Sequence, residues 1–569
     1  MTQTDNVSAN HSDSFVTRLA WIALVLASLY ICYFHNLGAI GLVGPDEPRY
    51  AWIARDMAET GDWVTPKLYG KPWFEKPPLL YWGAALSFKL FGVSDAAARF
   101  PSAVAAVLAT LAMAWLAWRI YGAETARWLL LLLPTTVGMI GFSHAAATDM
   151  PFAAMLTVAM VFAARLLGPV PSSSSTSFTS SNSFTSFCFG LFLGLAALAK
   201  GPAAVVLSAG AVLLWAVLTK RWREAFRCLH PMAIAAFCLT ALPWYILCAH
   251  RNPDFFRVFI IEHNFKRYLT PEFQHIQPFW FYIPILLLAL FPWLVFLLPA
   301  FQRLFSLEQR NSSEWSSILF LACWAFFPLL FFSISKSKLP GYILPSLPPL
   351  ALMLAPSITK QSHSKPSPRW PLLGTGAALV LFGIALHQQA RKFPVMFCTS
   401  PDCGFSRIWL IAAIGGIVVA VLALLRSARL SLFSLICSTL LLVVGIDRFL
   451  PNLEPGISAR DATQVVRHVW PDFSPQGAAT WQLNRPFSYQ LNFYFHEELP
   501  EWNPGEKTSA WVFVAKNRVQ NARTLGLECV RFVIDPAVVP CRQSASVTGF
   551  STLDRLGRSS ESGLNRQSR

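Results

Sequence analysis

Residues 44–95 read GPDEPRYAWIARDMAETGDWVTPKLYGKPWFEKPPLLYWGAALSFKLFGVSD, a charged, aromatic stretch lying between two apolar runs. The acidic pair Asp46-Glu47 stands just beyond the first run, and Glu75-Lys76-Pro77-Pro78 leads into a helix that carries Tyr81 and Trp82. The rest of the N-terminal part of the chain is mostly greasy helix, and a chain of that kind concentrates its charge where it does chemistry. An acidic pair and a cationic Lys-Pro-Pro corner near one membrane face point to a site for an anionic substrate that lives in the bilayer.

The surrounding sequence sets the class. Of 569 residues, 54% are hydrophobic and 13% charged, the composition of an integral membrane protein. Apolar runs occur at Phe15–Phe34, Ala97–Trp118, Arg127–Phe142, Pro151–Leu167, Phe187–Ala199, Ala203–Leu218 and Met232–Cys248. They continue at Phe279–Leu298, Ile318–Phe332, Tyr342–Ala355, Pro371–Leu386, Ile408–Leu425 and Leu430–Ile446. By length this predicts about thirteen spans in an all-α polytopic domain.

With the N-terminus in the cytoplasm, one alternate set of loops holds the clustered basic residues, among them Arg119, Arg127, Arg165, Lys220, Arg221, Arg223, Arg303, Arg310, Lys360, Lys365, Arg426 and Arg429. The positive-inside rule then puts residues 44–95, and the chain beyond about residue 447, on the outer face. The net charge of +16 is dispersed over these loops, which speaks for anionic lipid as a partner and against nucleic acid. The first apolar run is too long and too poorly flanked for a cleaved signal peptide, so it is expected to stay as the first span.

Domain organisation follows. Residues 1–14 read as a disordered cytoplasmic tail and 15–446 as one membrane domain with outer loops at 37–96, 250–278 and 333–341. Residues 172–186 (SSSSTSFTSSNSFTS) read as a flexible linker. After Ile446 polar residues return, Trp511–Ala515 and Cys529–Ile534 resemble strands, and Ala459–Trp470 resembles a helix. Residues 447–550 are therefore expected to form a small outer α/β domain, followed by a disordered tail over 551–569. Two of the cysteine pairs, Cys398 with Cys403 and Cys529 with Cys541, fall on the outer side, where disulfides persist.

The outer loops gather further functional side chains. Asp149 opens a span, where a carboxylate often serves only as an N-cap. Residues 250–278 carry Glu262, His263 and Arg267, the last two sharing a face at helical spacing. Lys336, Lys338 and Tyr342 stand at the mouth of another span. The spans themselves are nearly free of ionisable residues, whereas a transporter or pump buries some at mid-membrane depth. No phosphate-binding loop or dinucleotide fingerprint is present, so an outer-face transferase would draw its activated group from a lipid carrier. For a lipid-phosphate sugar, Lys76, Arg267 and Tyr342 could stabilise the phosphate leaving group, and Asp46 could deprotonate or orient the acceptor.

The runs Asp46-Glu47-Pro48-Arg49-Tyr50, Gly61-Asp62-Trp63 and Glu75-Lys76-Pro77-Pro78-Leu79 with Tyr81-Trp82 resemble the bacterial aminoarabinose transferases of lipid A. So do Asp149, Glu262–Arg267 and Lys336–Tyr342, and the resemblance covers the membrane domain. The first-loop motif is shared with other lipid-phosphate-sugar glycosyltransferases of the GT-C fold, including relatives of the protein O-mannosyltransferases. The resemblance implies transfer of 4-amino-4-deoxy-L-arabinose from undecaprenyl phosphate to a phosphate of lipid A, with resistance to cationic antimicrobial peptides. It implies Asp46 and Asp149 as catalytic carboxylates and Glu47, Arg49, Lys76, Tyr81, Arg267, Lys338 and Tyr342 as substrate-binding groups. Glu75 with His263 is the pair that could help hold a divalent ion, although nothing in the sequence requires a cofactor; a monomer is expected. The Ser-rich linker and the outer cysteine pairs are not family features. Two alternatives stay open: a GT-C transferase of another polyprenyl-linked sugar (glucosamine, mannose or galacturonic acid) to lipid A, glycan or protein, and a flippase of lipid-linked sugar.

Overall fold

The computed structural model describes residues 15–168, 178–266, 277–306, 315–363, 368–392, 405–504, 510–530 and 536–543. Among them, nine helices are long and apolar enough to cross a bilayer. Two further apolar runs are bent pairs: Ala123–Leu132 with Val137–Ser143, at 60°, and Phe279–Leu290 with Trp293–Phe305, at 110°. Shorter apolar helices, Ala203–Thr219 and Ile408–Leu424, account for the remaining expected spans. Every apolar run of the sequence is thus helical.

The two bends have a common cause. Pro134 and Pro292 each lack the amide that would continue the helix. A helix can break inside a bundle when its neighbours satisfy the freed backbone groups. Here the breaks serve each other: the Val137 amide donates to Phe291 O at 3.0 Å, and Trp293 Nε1 donates to Thr135 Oγ1 at 2.9 Å.

We label the first elements α1 (Phe15–Tyr33), α2 (Asp46–Thr60), α3 (Leu79–Phe91), α4 (Asp95–Tyr121), α5 (Ala123–Leu132), α6 (Val137–Ser143), α7 (Asp149–Leu166) and α8 (Phe178–Lys200). Acidic Asp46 and Glu47 lie in the first turn of α2, where they complement the helix dipole, and Gly61 at φ 75° ends it. A two-residue turn at Tyr69-Gly70, both left-handed, joins strands β1 (Lys67–Leu68) and β2 (Lys71–Pro72).

This first-loop layer is fixed to the bundle by one buried ion pair. Arg99 of α4 uses all five of its N–H groups. Two reach Glu47 (2.7 and 3.0 Å), and the others reach the carbonyls of Leu37, Ile40 and Gly41, each at 2.8 Å. Glu47 also accepts from the amides of Val43 and Ala146, both at 2.7 Å. Asp62 secures the far end of the loop. It accepts from the amides of Val64 and Thr65 and from Arg251 Nη1, each at 3.2 Å, and from Lys67 Nζ at 2.9 Å.

Beyond the bundle, a four-stranded sheet has the order β3-β4-β6-β5, from β3 (Ala478–Trp481), β4 (Trp511–Ala515), β5 (Leu527–Cys529) and β6 (Val538–Gln543). β3 and β4 are parallel and the other pairs antiparallel; helices Arg460–Val469 and Arg485–Phe495 accompany the sheet. The Cys529–Cys541 disulfide joins β5 to β6. Cys398 and Cys403 lie outside the described residues.

Two boundaries differ from the sequence reading. The last long helix runs past Ile446 to Ile457, with Pro451 and Pro455 inside it. It continues because its end is braced: Glu454 is buried, accepts from the Gly41 amide at 3.1 Å and pairs with Arg460. The Ser-rich run is not wholly linker either, since α8 begins at Phe178 and its Thr185 and Ser186 are buried. Hydroxyl side chains are neutral enough in a helix to follow the apolar pattern set by the phenylalanines around them.

Two outcomes test this scaffold. Glu47→Gln leaves Arg99 unbalanced in the interior and should destabilise the protein by about 3–5 kcal/mol, read as a lower melting temperature of the purified protein. Burial pushes the Asp62 carboxyl up, but the bonds from Lys67 and the Thr65 and Val64 amides outweigh it and hold the group below the usual carboxylate range. Its stabilising contribution is therefore present above that range and lost as pH falls through the depressed value. Asp62→Asn should melt below wild type at neutral pH, with the gap closing below about pH 4.

Candidate active site

Two charged clusters stand at the same end of the bundle. In the first, Arg49 of α2 is the hub. Its Nη1 donates to Glu75 Oε2 at 2.8 Å, its Nη2 pairs with Asp46, and its Nε donates to Pro45 O at 2.8 Å. Burial works against the Arg49 charge, yet Glu75, Tyr50 and Asp46 together hold its proton more tightly than usual. The guanidinium is ringed by Tyr50, Trp73 and Tyr489, at 5.7, 5.5 and 5.4 Å from the ring centroids. Lys76 Nζ stands 3.9 Å from the second oxygen of Glu75, and half of the Asp46 side chain remains open to solvent.

The second cluster joins three elements. Asp149, at the start of α7, accepts from Lys200 Nζ, at the end of α8, at 2.5 Å. The same ammonium lies 4.7 Å from the Tyr342 ring and 5.5 Å from that of Phe152. Gly341 allows this approach, because a Cβ there would come within 2.3 Å of Asp149 Oδ1. The clusters share a support: Ala146, whose amide binds Glu47, precedes Asp149 by three residues.

A cleft of about 520 Å³ opens beside the first cluster, lined by Trp73, Phe74, Glu75, Arg251, Asn252, Asp254, Arg257 and His263. Glu75 and His263 thus share one cavity. Among the described residues, no group of three or more His, Cys, Asp and Glu side chains is arranged to hold a metal ion. Glu75 already accepts from Arg49, so any cation placed there would compete with the guanidinium.

The geometry brings together Asp46, Arg49, Glu75 and Lys76 in one group and Asp149 and Tyr342 in another. Three candidates take other roles. Glu47 has both oxygens committed to Arg99 and backbone amides and is a structural brace. Tyr81 is fully buried against Tyr50, at 5.7 Å between rings, closed to a substrate. Lys338 is buried and donates to Gln277 O at 3.0 Å and Ser335 O at 2.6 Å, which ties its own loop down. Arg267 lies outside the described residues. Lys200 and Tyr489 were not anticipated. The signal for Lys200 is a lone lysine at the end of an apolar run, directly before Gly201-Pro202. Tyr489 has no local signal, because only the domain docking brings it to Arg49.

Comparison with known proteins agrees with this architecture. The sequence model of the Dolichyl-phosphate-mannose-protein mannosyltransferase family (PMT) matches residues 19–259. An undecaprenyl phosphate-alpha-4-amino-4-deoxy-L-arabinose arabinosyl transferase of Edwardsiella ictaluri is 36% identical over 332 residues, 58% of each chain. Its namesake in Pseudomonas aeruginosa is 33% identical over 389 residues, 66% of each chain. The chain thus covers less than two thirds of the length of these curated relatives. The crystal structure of ArnT from Cupriavidus metallidurans bound to undecaprenyl phosphate superposes with a TM-score of 0.74. That alignment covers 93% of this chain and 99% of that one at 20% identity, a likeness of fold. The chain is thus similar in sequence to undecaprenyl-phosphate aminoarabinose transferases over part of their length, and it shares the fold of ArnT.

Proposed function

We propose that the protein is an integral-membrane glycosyltransferase that moves 4-amino-4-deoxy-L-arabinose from undecaprenyl phosphate to a phosphate of lipid A. The reaction would take place on the periplasmic face of the inner membrane. The observation that carries this reading is the pairing of two cation-bearing clusters at one end of an apolar bundle, Arg49 and Lys76 with Asp46 and Glu75, and Lys200 with Asp149 and Tyr342. The names of the curated relatives support the donor and the sugar.

The chemistry needs little covalent help. A phosphate oxygen of the acceptor attacks the anomeric carbon, the bond from that carbon to the carrier phosphate breaks, and undecaprenyl phosphate leaves with the electron pair. Negative charge grows on the leaving phosphate, so fixed cations nearby stabilise the transition state more than the ground state. Lys76 and Lys200 are suited to this work, because each is partly shielded from water and held beside a carboxylate that limits its freedom. Asp46 and Asp149 would orient the aminosugar or acceptor.

Mass spectrometry of lipid A from cells with and without the protein tests the reading. An added aminopentose on a lipid A phosphate is expected, absent in the Asp46→Asn variant; lipid A that is unchanged, with a sugar appearing on glycan or protein, would replace this acceptor. Removing one preorganised cation should cost about 10²–10³ in turnover. Lys200→Ala and Lys76→Ala should therefore each lose transfer while still folded and inserted, and retained turnover would take that lysine out of the site.

A further inference from the structure

Arg49 holds Asp46 and Glu75 in place, and something must hold Arg49. Three rings do so, two from the first loop, Tyr50 and Trp73, and one from the C-terminal domain, Tyr489 on helix Arg485–Phe495. We infer that Tyr489 is a positioning residue for transfer, so that the C-terminal domain completes the active site by caging the Arg49 guanidinium. This deepens the transferase reading and rests on it.

The domain is fastened firmly enough for the task. Arg460 reaches across the seam to Asp95 at 2.7 Å and Gly38 O at 3.0 Å. The Tyr494 hydroxyl donates to Asp95 at 2.8 Å and accepts from the Leu42 amide at 2.7 Å. Gly41 lets the two surfaces close, since a Cβ there would meet Ser458 Oγ at 2.2 Å and Tyr494 OH at 2.6 Å. On the same helix, Phe493 packs into the first-loop core, and His496 just after it lies 3.1 Å from Glu59 and 5.3 Å from the Trp52 ring. Tyr489 is therefore delivered to Arg49 by a rigid seam. Its hydroxyl accepts from Arg485 Nε at 2.9 Å, one turn away, and the Arg485 guanidinium also lies 5.3 Å from the ring centroid, so the one ring meets both Arg485 and Arg49.

An aromatic face over a guanidinium attracts it electrostatically and fills the space through which it would swing away. Without the ring, Arg49 gains freedom and its two carboxylates lose their fixed spacing. The effect should appear in the chemical step rather than in donor capture, because Lys76 and Lys200 are untouched.

The test uses the full-length purified protein with undecaprenyl-phosphate aminoarabinose and lipid A, comparing Tyr489→Phe, Tyr489→Leu and Tyr489→Ala. Turnover is expected to fall about tenfold in the Leu and Ala variants with donor KM changed less than about threefold, and Phe should restore it. A Leu variant as active as Phe, or an Ala variant as active as wild type, overturns the proposal. The cage is also read without any sugar, by melting temperatures of Arg49→Gln, Tyr489→Leu and the double variant. A double variant no less stable than the worse single one supports the cage, and additive losses overturn it. Wild-type protein inactive with this donor, with the cage present by melting, would fail the transferase reading alone.

Discussion

Taking a carboxylate and a guanidinium out of water together costs several kcal/mol per ion before their attraction repays it, and Glu47 and Arg99 meet that cost by leaving nothing unsatisfied. Five donors and four acceptances close on one another across α2, α4, the segment 37–43 and the loop before α7. Because four separate pieces of chain converge on this pair, its geometry sets theirs. The start of α2 carries Asp46 and Arg49, and the loop at Ala146 leads into Asp149. The seam with the C-terminal domain uses the same segment, through Gly38, Gly41 and Leu42. A brace with no direct chemistry therefore determines where both charged clusters stand.

The clusters themselves are poised rather than neutralised beyond use. Arg49 is held by two carboxylates and three rings, and Lys200 by Asp149 and two rings. An aromatic face steadies a cation without satisfying its donors, so hydrogen-bonding capacity is kept for an incoming phosphate. In the proposed reaction the lipid carrier brings a charge that competes with Asp149 for Lys200, and the ammonium needs only a small shift to follow it. That arrangement suits a site which must bind an anionic carrier and later release it.

How much of this could be read from the sequence depends on the range of the interaction. Apolar runs are local, so all the expected spans are helices, and the two at Pro134 and Pro292 are bent where proline removes an amide. The Asp46, Arg49, Glu75 and Lys76 group was legible because it lies within a single loop whose motif is compact. Glu47 and Lys338 prove to have partners within the protein, which the sequence does not show, because a charged side chain at a membrane boundary looks the same whether it meets substrate or its own backbone. Only the partner decides, and Arg99 is fifty-two positions from Glu47. Lys200 and Tyr489 depend on contacts across fifty-one and hundreds of residues, which leave no pattern in one sequence.

The engagement of Asp46 bears on which acceptor the proposed site would serve. A hydroxyl acceptor must lose its proton to some base, and Asp46 is the most open carboxylate of the first cluster. Yet one of its oxygens is taken by Arg49, which is itself caged and shared with Glu75. A carboxylate bound in this way is well placed to orient a cationic amino group or a sugar hydroxyl, and poorly placed to carry a proton away from the site. A phosphate monoester is largely ionised near neutral pH and needs no such base. The demand it makes is for cations beside the converging phosphates, and in the proposed reaction Lys76 and Lys200 meet it. An Asp46 engaged in this way therefore fits the proposed phosphate acceptor, which asks no proton transfer of it.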